Sequence, residues 1–125
     1  MPEHLRRGRE GETAARHHLV ASGMKVLTSN YRGKRGEIDL VLREGNCLVF
    51  AEVKTRSSEN WVRPAAAVDR RKRRLLSLTA EDYLRRLPDR RVPWRFDVVE
   101  VILSNGQVRE IRHLRNAFTM DLRHR

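Results

Sequence analysis

The sequence predicts an α/β protein in which a mixed central β-sheet is flanked by helices, in the order α-β-β-β-α-β-β. Three observations predict it. Short runs rich in Val, Ile, Leu and Phe recur with turn residues between them. A long amphipathic stretch separates the third run from the fourth, so those two strands can lie parallel and adjacent. The fourth run, 94–103 (WRFDVVEVIL), is apolar on both alternating sets, which suits a central strand covered on both faces.

Each element has its own signal. Residues 9–22 read as a helix: Ala15 and Leu19 fall at helical spacing, Ala14 and Ala21 lie beside them, and Gly23 is a natural stop. Residues 1–8 are polar and read as a frayed end. Residues 25–32 (KVLTSNYR) read as a strand, and Gly33 to Gly36 as a basic turn. The strands 37–44 (EIDLVLRE) and 47–56 (CLVFAEVKTR) are joined by a tight hairpin at Gly45-Asn46. Residues 57–64 read as a loop. A helix is expected from about Ala65 to Leu87, with Val68, Leu75, Leu76, Thr79, Tyr83 and Leu87 along one side and Pro88 as its end. Ser104-Asn105-Gly106 is a turn before a last strand at 107–114. Cys47 begins an apolar strand and is expected in the core.

Composition bounds the function. At 125 residues the chain is expected to be one domain, with its core at about 8–118 and polar tails. Lys and Arg total 27 against 16 acids, a net charge of +11. A domain this basic is expected to meet a polyanion, by default nucleic acid. Basic residues that merely aid solubility are the plainer alternative. Only Lys25, Lys34, Lys54 and Lys72 are lysines, so each merits inspection. A single cysteine excludes an intramolecular disulfide and argues against Cys-based zinc. His17 and His18 are adjacent and point apart on a helix, which argues against a zinc site there. No stretch approaches the ~20 apolar residues of a membrane span, and the N-terminus lacks an apolar signal core. A soluble cytoplasmic protein with no membrane partner is expected. There is no Gly-rich phosphate loop, nucleophile elbow or dinucleotide fingerprint.

The informative feature is the central hairpin. A two-residue loop sets Glu44 against Cys47, hence Val41 against Phe50, Asp39 against Glu52 and Glu37 against Lys54. Directly opposed carboxylates repel and weaken a sheet. A divalent cation between them supplies a reason for the pair, because Mg²⁺ takes oxygen ligands from one or two carboxylates plus water and phosphate. Lys54, two residues beyond Glu52 on the same face, is placed to serve an attacking water or to offset phosphate charge. Glu12 shares the apolar helix face of Ala15 and Leu19 and so points at the sheet as a third acid. Plainer readings stand beside these: a Glu37–Lys54 ion pair, acids neutralised by arginines, and Glu12 as a helix N-terminal acid.

Other residues carry weaker signals. Lys72 lies on the apolar side of the long helix, where it either reaches the acids or a phosphate, or snorkels. Arg70, Arg71, Arg73 and Arg74 flank it as a candidate phosphate-tracking patch, or as an ordinary solvated face. Arg56 follows Lys54 on the strand. Trp61 is placed either to stack on an unpaired base or to anchor its loop on the core. Asp97, in an apolar strand, is expected to be buried and hydrogen-bonded to a partner such as Arg.

Together these residues resemble the PD-(D/E)xK nuclease superfamily, with its restriction-endonuclease-like fold, and within it the YraN-like family of small bacterial proteins. The stretches that carry the resemblance are Gly8-x-x-Gly11-Glu12, Asn30-Tyr31-Arg32, Gly36-Glu37-Ile38-Asp39-Leu40 and Phe50-Ala51-Glu52-Val53-Lys54-Thr55-Arg56. Ala67-Val68 with Lys72, Ala80 with Tyr83-Leu84, and Arg95-Phe96-Asp97-Val98-Val99 follow. Ile38 stands where the superfamily motif has proline, His18 where the family commonly has Tyr, and Arg63 where Gly is usual. The resemblance implies that Asp39 and Glu52 bind Mg²⁺ or Mn²⁺, that Lys54 assists the attacking water, and that Glu12 is an accessory acid. It implies a nuclease acting on DNA before RNA, with branched structures among the expected substrates. Similarity to small Holliday-junction resolvases adds the expectation of a homodimer. A non-catalytic nucleic-acid-binding module is the alternative.

Overall fold

A computed structural model describes residues 3–58, 69–89 and 91–121 of the chain. Helix α1 (Glu3–Ala21) starts earlier than its apolar spacing suggested. Polar composition alone does not stop a helix, and no proline interrupts this one after its first turn. It ends where expected: Gly23 takes φ +101°, and Met24 N–H reaches back to the Leu19 carbonyl.

The strands are β1 (Lys25–Arg32), β2 (Glu37–Glu44), β3 (Cys47–Ser57), β4 (Trp94–Ser104) and β5 (Gln107–Phe118). They form one sheet in chain order. All neighbours are antiparallel except β3 and β4, which are parallel as the crossover predicted. The hairpin register is the predicted one from Glu44–Cys47 through Val41–Phe50 to Leu40–Ala51, but the predicted Asp39–Glu52 and Glu37–Lys54 pairings lie beyond the end of the ladder.

The crossover helix α2 (Arg70–Arg85) is shorter than expected. Asp69 is extended, and its carboxylate accepts the Lys72 N–H, so the helix begins at Arg70 rather than continuing from Ala65. Ala65 and Val68 lie outside the described residues. β5 runs four residues beyond its predicted end. Register shifts opposite Phe96–Val98 and a left-handed Asn116 (φ 49°) let the chain bend and pair again at Phe118.

The sheet has an apolar layer on each face. Ala15 and Leu19 of α1 pack with Leu40, Leu42, Val49, Ala51, Val99 and Val101. Leu76 and Ala80 of α2 pack with Ile38, Val41, Phe50, Phe96 and Val98. β4 lies between β3 and β5, with most of its residues buried. Cys47 is half-buried rather than in the core, with its sulfur beside Arg95. No helix among the described residues is long and apolar enough to cross a membrane.

Candidate active site

The site forms where the central hairpin comes apart. The β2–β3 ladder runs from Glu44↔Cys47 to Leu40↔Ala51. Beyond it, β2 stays with β1 to Glu37↔Arg32, while β3 follows β4 to Ser57↔Leu103. The strands part at Asp39 and Glu52. β2 also loses its alternation there: Leu40 packs on the α1 side and Ile38 on the α2 side. A residue at such a break can reach toward both layers.

Asp39 stands at the break. Its Oδ2 accepts the Val53 N–H at 2.8 Å, so the carboxylate takes a backbone donor of β3 where the ladder has ended. Glu52 is 4% exposed and lies against Asp39. The Lys72 ammonium is 3.1 Å from Glu52 Oε2, and that of Lys54 is 3.8 Å away. Lys72 therefore reaches the acids rather than only covering apolar surface. The alternative Glu37–Lys54 ion pair is not what forms: Arg32 pairs with Glu37 at 3.3 Å, and Lys54 turns to Glu52.

The electrostatics follow from this crowding. Burial, then the Asp39 carboxyl as hydrogen-bond partner and like charge, push Glu52 up to about 7, while Lys72 pulls the other way. Glu12 is also raised, by burial and by the charges of Asp39 and Glu37. The contributions of Asp39 and Glu37 are consistent with the helix acid lying on the side of these strand acids. Gly11 brings it there: an added Cβ at Gly11 would sit 1.8 Å from Thr55 Oγ1, so α1 and β3 approach as only glycine allows.

The residue pattern, the order of elements and the split hairpin can be set beside known proteins. The model of the uncharacterised protein family UPF0102 matches residues 11–101. A UPF0102 protein of Rhodococcus opacus is 39% identical over 94% of this chain and all of its own. One from Porphyromonas gingivalis is 41% identical over 98% of this chain and 91% of its own. One from Symbiobacterium thermophilum is 45% identical over 89% and 94%. The chain belongs to the UPF0102 family. The matched span contains Glu12, Asp39, Glu52, Lys54 and Lys72 together, so the whole cluster lies within what defines this family's model.

The remaining basic candidates of this UPF0102 protein separate. Arg71 is exposed. Arg70 approaches Asp121 at 3.8 Å, just beyond β5, and Arg73 lies over the ring of Phe118 at the end of that strand. Arg74 is half-buried. Arg56 lies on β3 with its Nε 2.9 Å from Glu100. Trp61 lies outside the described residues.

One charged residue escaped the sequence reading. Glu100 looked like one polar position in an apolar strand, yet it is 1% exposed and approached by Arg56 and Arg112. The parallel register Lys54↔Glu100 brings it beside the site, and only the tertiary pairing of β3 with β4 carries that information. Asp97 matches its expectation: Arg95, His113 and the Asn116 N–H all bond its carboxylate.

Among the described residues, no three His, Cys, Asp or Glu side chains gather closely enough to hold an ion unaided. The donor chemistry still suits a hard divalent cation. Two adjacent carboxylates offer oxygen ligands, a third lies near Asp39, and both neighbouring ammonium groups address Glu52, which leaves the Asp39 carboxylate without a cationic partner among these.

Proposed function

We propose that this protein is a metal-dependent nuclease that binds nucleic acid, DNA before RNA, and hydrolyses phosphodiesters. The observation that carries the reading is the contact of Asp39 with buried Glu52 at the split of the hairpin, with Lys54 and Lys72 on the same carboxylate. The resemblance to PD-(D/E)xK nucleases supports it.

Asp39 and Glu52 would hold Mg²⁺ or Mn²⁺, with Glu12 reaching it through water. Such an ion supplies Lewis-acid charge to a phosphoryl oxygen and lowers the pKa of water. The chain does the rest. Lys54, half-buried on β3, orients the attacking water and offsets charge on the phosphoryl oxygens. Lys72 offsets part of the burial that favours the protonated form of Glu52. Water oxygen bonds to phosphorus, the ester P–O bond breaks, the departing oxygen takes a proton, and the water's proton passes to solvent. The +11 charge draws the polyanion in.

The test is cleavage of end-labelled junction, flap, duplex and single-stranded DNA in Mg²⁺, Mn²⁺ or EDTA. Metal-dependent cutting is expected, with at least a hundredfold loss in Asp39→Ala and Lys54→Ala, consistent with removing a charge-stabilising group worth roughly 10²–10³. Salt-sensitive binding without cutting, equal in wild type and variants, would instead make it a binding module with structural acids.

A further inference from the structure

Beyond Lys54, the face of β3 that carries Glu52 continues to Arg56, two residues and about 6.6 Å further along the strand. Arg56 does not stand alone. Glu100 on β4 pairs in register with Lys54 on one side and with Arg112 of β5 on the other. Its carboxylate is buried and shared: Arg56 Nε lies 2.9 Å from Oε2, and Arg112 Nη1 lies 3.8 Å from Oε1. Arg112 also donates from Nε to exposed Glu110 at 2.7 Å.

Two features set this cluster apart from a structural ion pair. Neither Arg56 Nε nor Glu100 Oε2 completes an aligned hydrogen bond, although both are buried and close together. Two guanidinium groups also converge on one buried acid, and Arg112 turns its Nε to exposed Glu110, so Glu100 alone does not take up the donors of either fork. A guanidinium has five donors in a planar fork that suits phosphate oxygens. Arg56 and Arg112 keep side-chain exposures of 17% and 39%, enough for an anion to reach them.

We propose that Arg56 and Arg112, held by Glu100, form a phosphate subsite one step along β3 from Lys54. It binds the phosphodiester next to the one at the acid pair. The position of this subsite rests on the nuclease reading, whereas its affinity for phosphate does not. Glu100 is a positioning residue: it touches no substrate and fixes the arginine forks. A consequence is that the protein prefers linkages with a charged neighbour, that is, internal sites in a chain over a terminal linkage.

Arg56→Gln alone would strand a buried carboxylate. The informative variant is the double Arg56→Gln/Glu100→Gln, which leaves the net charge unchanged. Full-length protein in EDTA is titrated with a fluorescent eight-thymidine strand across a salt series. The slope of log affinity against log salt is expected to fall by about 0.7 for one lost phosphate contact, and affinity severalfold. Arg112→Gln is expected to behave alike. Arg91→Gln, on an exposed loop residue paired with Asp89, is the comparison for a general loss of charge. With Mn²⁺, a single neutral methylphosphonate beside the cut linkage is expected to slow wild-type cleavage about tenfold and to leave the double variant indifferent. An unchanged slope in folded double variant, or an equal loss in Arg91→Gln, overturns the subsite even if the protein cuts DNA. A lost slope without any metal-dependent cutting keeps the phosphate site and removes the nuclease reading. Cleavage that ignores the neutral linkage in wild type puts the subsite elsewhere.

Discussion

Asp97 shows how much one buried charge can organise. It is fully buried, yet it accepts from Arg95 Nε at 2.9 Å, from the Asn116 N–H at 2.9 Å, and contacts His113 Nε2 at 2.7 Å. Arg95 extends the network to Glu44 at the end of β2, and Arg115 meets the same acid from β5. One carboxylate thus ties β4 to β5 and, through Arg95, to the hairpin. Burial would raise its pKa, but the bonds from His113, Arg95 and Asn116 outweigh that and hold it below the usual range. The Asn116 bond also satisfies a backbone donor at the bend of β5. Asp97→Ala should therefore destabilise the fold by about 3–5 kcal/mol, as for breaking a buried charge network. Denaturant unfolding checks this. A loss under 1 kcal/mol would mean that Arg95 and His113 re-pair without it. The site itself lies around Glu52, so a folded Asp97→Asn variant should keep its divalent-cation affinity.

The packing of whole elements decides where Glu12 goes. Glycine inside a helix costs about 1 kcal/mol relative to alanine, so replacing Gly11 would stabilise an isolated helix. In the protein the sign reverses. A methyl at Gly11 would meet Thr55 Oγ1 at 1.8 Å, Cβ at 3.0 Å and Cγ2 at 3.2 Å, and rotating the threonine cannot clear its own Cβ. Gly11→Ala should push α1 from β3, lower stability by roughly 1–3 kcal/mol, and carry Glu12 away from Asp39. Adding Thr55→Ala should recover part of both stability and cation affinity. No loss in thermal midpoint for Gly11→Ala would show that α1 shifts freely. The sequence showed Gly11-Glu12 as a pattern, but the reason for the glycine lies in a contact 44 residues away in the chain. The same limit explains the other gaps. Local signals placed the hairpin and its register, because Gly45-Asn46 and period-2 alternation are short-range features. They missed the parting of the strands at Asp39, which depends on β2 following β1 and β3 following β4. They missed Glu100 for the same reason. The end of β5 depends on Asp97 accepting the Asn116 N–H, which no strand propensity encodes.

At the scale of the molecule, stability and cation binding should be linked through Glu52. In the folded protein this acid is pushed up to about 7 from an ordinary value of 4.5. The native state then holds a proton that the unfolded chain has released. Stability from this group is fully present below about pH 4.5 and is lost as pH rises through 7, a change on the order of 3 kcal/mol at most. The +11 charge contributes its own pH dependence through the histidines and other acids, so the informative quantity is the difference from Glu52→Gln. That difference should grow in favour of the variant between pH 5 and pH 8. On the proposed function a divalent cation would change the balance, because it would bind the ionised carboxylates of the folded state. At pH 8, Mn²⁺ at a hundred times its dissociation constant should stabilise wild type by about 2.7 kcal/mol. It should leave Glu52→Gln and Asp39→Asn almost unmoved. The same addition at pH 5 should stabilise wild type less, since the ion must displace a proton from Glu52. Thermal unfolding at both pH values, with Mn²⁺ or EDTA, measures all of this without reference to any cleavage. Equal Mn²⁺ stabilisation in wild type and Glu52→Gln would place the cation away from the split hairpin, and would leave the acid pair a strained but purely structural contact held by Lys72.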